Sequence, residues 1–244
     1  GDVSETISLF GQELLLNHRF LHQDNNIQMD YELANIVEKC FAGKVAEPKA
    51  KILCSKFLAA CREYLVYSSS YDQFMQSLAS TQPLVFLDSL LEESSKANFH
   101  LDLTCTSDLD TELGPLAHVN DETIIHWCKT DPDTRYPFIA QIIKPYYESS
   151  DKQLEWTPLA LQIILDCPEP EKVLNGLKRG IQPRVWWSSY ATVLQQRLKL
   201  FDDLLKHQNP TIVAWAANEK ALLEEQIRYE YEREAKSERY ERFE

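Results

Sequence analysis

Glycine is scarce in this 244-residue chain: only Gly1, Gly11, Gly43, Gly114, Gly176 and Gly180 occur, about a third of ordinary usage. Tight hairpins, sandwich turns and phosphate-cradling loops therefore have little raw material, which argues against all-β folds and nucleotide-binding α/β folds. Positive charge is also short, with 25 bases against 38 acids and a formal charge of −13. A surface so acidic repels phosphate, so nucleic acid and anionic membrane are unsuited as main partners and a basic protein surface fits better. No apolar run reaches the roughly 18 residues of a membrane span, and the N-terminus lacks a basic stretch followed by an apolar one. The six cysteines, Cys40, Cys54, Cys61, Cys105, Cys128 and Cys167, form no CxxC pair. They read as buried thiols of a cytoplasmic protein rather than a disulfide framework.

What is abundant is helical periodicity, and the expected class is all-α. Ile7, Phe10, Leu14, Leu15 and Phe20 predict an amphipathic helix over 4–21. Tyr31, Leu33, Ile36, Val37 and Phe41 predict a second that Gly43 stops. A third follows Pro48 with Ile52, Leu53, Phe57, Leu58, Cys61 and Leu65, a short fourth carries Phe74 and Leu78, and a fifth opens at Gln82-Pro83. Later helices are expected over 121–130, after Asp131-Pro132, over 158–166, over 169–177, over 189–207 and from Asn209-Pro210 into the charged tail. In Gln82-Pro83, Asp131-Pro132, Thr157-Pro158 and Asn209-Pro210 a polar residue stands at the cap and proline at the first helical position, where its missing N–H costs nothing. Their spacing is of the order of one helix or one helix pair in HEAT-like repeats. The architecture expected is stacked helix pairs, as a HEAT-like right-handed α-solenoid or an irregular helical array. Periodicity lapses around 96–119, so the chain divides into an N-terminal helical subdomain (1–95), an acidic seam (96–119) and a C-terminal helical subdomain (120–244).

The string Trp127-Cys128-Lys129-Thr130-Asp131-Pro132-Asp133-Thr134-Arg135-Tyr136-Pro137, with Trp156-Thr157-Pro158-Leu159-Ala160, Trp186-Trp187-Ser188-Ser189 and Ala214-Trp215-Ala216, resembles the C-terminal HEAT-like helical region of large bacterial proteins of poorly defined function. The resemblance covers about 125–244 and implies a helical array used for contact or sensing, with no assigned catalytic residue. The chain, starting at Gly1-Asp2, then reads as the C-terminal part of something longer.

Candidate chemistry is sparse. His18 and His22 share a helix face at i, i+4, a zinc-compatible spacing without a third ligand except Asp24. His126 and Cys128, with His118 as base, suggest a thiol nucleophile, but residues two apart on a helix point to different sides. Asp108 with Asp110, and Asp131 with Asp133, offer paired carboxylates for a cation; the second pair is explained more simply as a helix cap. No metal and no cofactor are expected.

Two segments suit a partner instead. In Lys178–Tyr190, basic residues alternate with aromatics, and Arg184, Trp186 and Trp187 form either the junction of packed helices or a binding hot spot. Between Leu84 and Thr123 stand nine acids and one base, Lys96, with Asp102, Asp108, Asp110 and Glu112 as the candidate face for a basic protein. The leading expectation is a non-catalytic, cytoplasmic protein-interaction domain. The alternatives are an acidic immunity protein neutralising a basic nuclease toxin, and a Cys/His-dependent enzyme.

Overall fold

A computed structural model describes residues 3–17, 21, 27–92, 114–183, 186 and 189–241. These residues form an all-α protein with one small two-stranded sheet. They fall into two compact units, one up to Trp127 and one from Cys128 onward.

The first unit holds α1 (Val3–Asn17), α2 (Ile27–Cys40), α3 (Glu47–Arg62), α4 (Asp72–Thr81), α5 (Pro83–Phe86) with its π-wound continuation Leu87–Glu92, a 3-10 turn Pro115–His118, and the first turns of α6 (Asp121–Thr130). Alternate helices pack together, α1 on α3 on α5 and α2 on α4, and α1 also meets α2. Ring contacts, edge-to-face for Phe57–Tyr71 and Tyr71–Phe74 and tilted for Phe57–Phe74, tie these three fully buried residues into the centre of this core. The turn Pro115–His118 packs on α4, and Leu116, Val119, Ile124 and Trp127 are buried. This apolar surface carries the unit through to Trp127, where the sequence pattern placed its end at 95.

The second unit holds the last residues of α6, α7 (Pro132–Ala140), a hairpin, α8 (Pro158–Asp166), α9 (Pro170–Ile181), α10 (Tyr190–Leu204) and the long α11 (Pro210–Glu241). Here α7 packs on α9 and α9 on α11, α8 packs on α9, and α10 lies along α11. Gly176 permits the first of these contacts, because a Cβ there would come within 2.9 Å of the Ala140 Cβ. The hairpin pairs β1 (Tyr146–Glu148) with β2 (Leu154–Trp156) antiparallel, Tyr146 facing Trp156. It was not expected, yet Tyr-Tyr and Leu-Glu-Trp flanking a polar turn is a recognisable strand signal. Lys152, not glycine, takes the left-handed turn position at φ 57°.

Helix starts follow the expected polar-proline pattern, with different chemistry at each. Thr157 Oγ accepts from Ala160 N at 3.2 Å and Asn209 Oδ1 from Thr211 N at 2.9 Å, so both are side-chain caps. Asp131 makes no such cap bond. Gln82 also does not cap; its amide donates to the carbonyls of Phe41 and Gly43 and pins the end of α2.

The largest departure from the periodicity is in α1. The stripe Ile7, Phe10, Leu14 faces water, with Phe10 69% exposed, whereas Gly11, Gln12 and Leu15 are buried. A Cβ on Gly11 would lie 2.3 Å from Cys40 Sγ, and Gln12 Nε2 donates to Cys40 O at 2.6 Å. Close backbone approach and a buried amide bond therefore set the orientation, over the wider apolar stripe.

Candidate functional site

Of the residues singled out by sequence, His18, His22, Asp24, Asp102, Asp108, Asp110, Glu112, Arg184 and Trp187 lie outside the described residues. Trp186 is described. It is 44% exposed and lies against Tyr190, with ring centroids 4.3 Å apart, so it is no core residue. The other three tryptophans are core, each with its indole N–H satisfied: Trp127 on Asp88 Oδ1 (2.7 Å), Trp156 on Leu200 O (2.8 Å) and Trp215 on Asn175 Oδ1 (2.8 Å).

The thiol candidate does not assemble. Cys128 is fully buried, and desolvation pushes its thiol up to about 12, while His126 and His118 are exposed. A neutral thiol at neutral pH is neither a nucleophile nor a soft metal ligand. Burial acts likewise on Cys54 and Cys61, both pushed up to about 12. Among the described residues no three His, Cys, Asp or Glu side chains gather as a metal site, and no helix is long and apolar enough to cross a membrane.

Two surfaces stand out. The first is the outer face of the N-terminal unit. On α1, Ile7, Phe10 and Leu14 recur at i, i+3, i+7, and Leu9 beside them is 47% exposed. On α2, Ile27 and Tyr31 at i, i+4 are exposed as well. Residues 1–127 contain nineteen acids and eight bases, nine of those acids between Leu84 and Thr123, and residues 128–244 contain nineteen and seventeen.

The second is a cleft of about 100 Å³ in the C-terminal unit, walled by the end of α9 (Lys178, Ile181, Gln182), by α10 (Leu194, Arg197, Phe201) and by α11 (Glu219, Leu222, Leu223, Gln226). Arg197 is only 7% exposed. Its Nε donates to Ile181 O, Nη1 to Val193 O at 3.1 Å and Nη2 to Tyr146 Oη at 2.9 Å, and the guanidinium lies 5.5 Å from the centre of the Tyr146 ring. Lys178 Nζ pairs with Glu219 Oε2 at 2.6 Å across the same cleft. Lys178 falls in the basic and aromatic segment Lys178–Tyr190 marked by the sequence, whereas Arg197 and Glu219 do not. A signal was present, since Arg197 sits in register with Leu194 and Phe201 on the buried stripe of its helix, where a charge is unusual.

Compared with known proteins, the chain matches no family model, no curated protein and no solved structure.

Proposed function

We propose that the protein is a non-catalytic, HEAT-like helical interaction domain whose N-terminal unit docks a protein bearing an apolar patch ringed by basic residues. The observation that carries this is the outward apolar stripe of α1. Water contact with Ile7, Phe10 and Leu14 is unfavourable by about 25 cal/mol per Å². Contiguous exposed apolar surface on a soluble protein marks interaction sites. The acid excess of the first 127 residues, most of it between Leu84 and Thr123, favours a partner of basic charge through long-range steering and discourages acidic ones. The alternate packing of α1, α3 and α5, of α2 and α4, and of α7, α9 and α11 supports the helix-pair array. Neutral buried thiols favour this reading over Cys/His catalysis.

The acid excess also favours one narrower version, in which the basic partner is a nuclease toxin and the protein its cytoplasmic immunity factor. The test is co-purification from the native cell with the wild type and with an Ile7→Gln/Phe10→Gln/Leu14→Gln variant. Glutamine is a good helix former at exposed sites, so helicity is expected to hold. Loss of basic partners in the variant is the expected result. Retention of every partner by a folded variant would overturn the assignment of this face, and a neighbouring gene for a basic nuclease would select the immunity version.

A further inference from the structure

We propose that the cleft among α9, α10 and α11 binds a small carboxylate carried on a short apolar stem. This uses the C-terminal unit and is independent of the docking face on α1.

The charge balance comes first. Arg197 is buried, and its guanidinium stays protonated in proteins. All three of its hydrogen-bond acceptors are uncharged: two backbone carbonyls and a phenol. One of them, Ile181 O, is at the C-terminus of α9, where the helix dipole amounts to roughly half a negative charge. The Tyr146 ring, 5.5 Å from the guanidinium, offsets a further part, but no carboxylate among the described residues bonds Arg197. Lys178 and Glu219 cancel each other across the cleft at 2.6 Å, so they do not supply one. By formal charge the walls hold Lys178 and Arg197 against Glu219, so the site offers at most one positive charge.

Donor capacity matches that charge. A guanidinium has five N–H bonds, and Arg197 gives three to the protein, leaving two Nη hydrogens. The amides of Gln182 and Gln226 and the Lys178 ammonium lie in the same walls. Together they suit the two oxygens of a carboxylate, which accept about four bonds. A phosphate would bring nearly two charges to a site offering one, and a cation would meet a like charge.

The remaining walls set the rest of the ligand. Ile181, Leu194, Phe201, Leu222 and Leu223 are apolar. A cavity of 150 Å³ accommodates benzene, so about 100 Å³ has room for a stem of a few carbons. Leu222, in the same walls, is 51% exposed. Either a free short-chain acid or the carboxyl end of another chain with a small aliphatic last residue has this chemistry.

The experiment is an amide chemical-shift titration of the full chain with isobutyrate, isobutyramide, N-acetylvaline and N-acetylvalinamide. Saturable shifts around Lys178, Leu194 and Leu223 are expected with the two acids, at least tenfold tighter than with their amides. Tighter binding of isobutyrate identifies a free acid as the source, and tighter binding of N-acetylvaline a chain end. Equal binding of acids and amides, or no saturation with either acid, overturns the proposal. Lys178→Gln and Gln226→Glu change walls that are not fully buried and leave Arg197 in place. Each is expected to keep wild-type helicity by circular dichroism and to weaken isobutyrate binding tenfold or more. Wild-type affinity in folded Gln226→Glu would also overturn it, because a second carboxylate on that wall must repel the first.

Discussion

The two units meet one local problem in opposite electrostatic settings. Each contains a helix whose first N–H groups are received by a carboxylate from another helix. In the N-terminal unit, Asp30 of α2 accepts from Gln73 N at 2.9 Å and Phe74 N at 3.0 Å at the start of α4, and it is only 5% exposed. In the C-terminal unit, Glu234 of α11 accepts from Ser189 Oγ at 2.7 Å and Ala191 N at 3.2 Å at the start of α10, in a half-buried position. Burial dominates at Asp30 and raises its pKa, whereas the Ser189 hydroxyl bond dominates at Glu234 and lowers its pKa. The same capping geometry thus costs desolvation in one unit and gains from charge-assisted bonds in the other. It also shows how α11 is held: Glu234 and Tyr231, whose hydroxyl donates to Gln195 Oε1 at 2.8 Å, anchor it well beyond its apolar first half.

The sharpest contrast in stability lies between two tryptophans of the C-terminal unit. Trp156 is 5% exposed and donates to Leu200 O, so Trp156→Ala should cost about 3–5 kcal/mol by urea denaturation. Trp186→Ala, removing a ring already 44% exposed, should change stability by no more than about 0.5–1 kcal/mol. Equal losses at the two sites would place the Trp186–Tyr190 pair in the core after all.

Much of this architecture was legible in the sequence, and the reasons are local. An asparagine cap, Asn120, marked Asp121–Thr130 to the residue, and Thr157-Pro158 marked Pro158–Asp166. What escaped depended on tertiary packing. The apolar periodicity predicts an amphipathic α1 and Leu15 is buried, but Gly11 and Gln12 turn Ile7, Phe10 and Leu14 outward through contacts with Cys40, which no periodicity reveals. The cleft draws on three helices, and its central Arg197 reads in isolation as one more solvated charge in Gln-Gln-Arg-Leu-Lys. The acidic residues Asp102, Asp108, Asp110 and Glu112 were legible as composition, which says how charged a segment is and not what it touches.

In the N-terminal unit, Asp30→Ala leaves the N–H groups of Gln73 and Phe74 without their acceptor and should cost about 2–3 kcal/mol. Glu234→Ala, more open to water, should cost at most about 1 kcal/mol, since solvent replaces part of what is lost. Equal penalties, read from chemical denaturation of the two variants, would remove the distinction between buried and open caps. Gly11→Ala should cost about 1–3 kcal/mol, because the new methyl must displace Cys40 Sγ. A neutral result there would show that α1 shifts freely on α2.

The smallest effect is the most specific, because the two caps must respond to pH with opposite signs. Glu234 has a folded pKa below its ordinary value of 4.5. Its contribution is present above that value and is lost as pH falls through the folded pKa, because the unfolded chain binds the proton first. Asp30 has a folded pKa above its ordinary 3.8. Between those two values the native state holds more protons than the unfolded state, so this group's contribution is full below 3.8 and declines as pH rises through the folded pKa. Removing each titration should expose its sign. The stability deficit of Glu234→Gln relative to wild type should be small at the acid end and grow as pH rises through the window below 4.5. For Asp30→Asn the difference should move the other way, shifting in favour of the variant as pH rises from about 3.8. Urea unfolding of wild type and both variants at closely spaced pH values between about 3 and 7 measures the two slopes directly. Slopes of the same sign would mean that burial does not outweigh hydrogen bonding at Asp30, and that the two units cap their helices by one electrostatic mechanism.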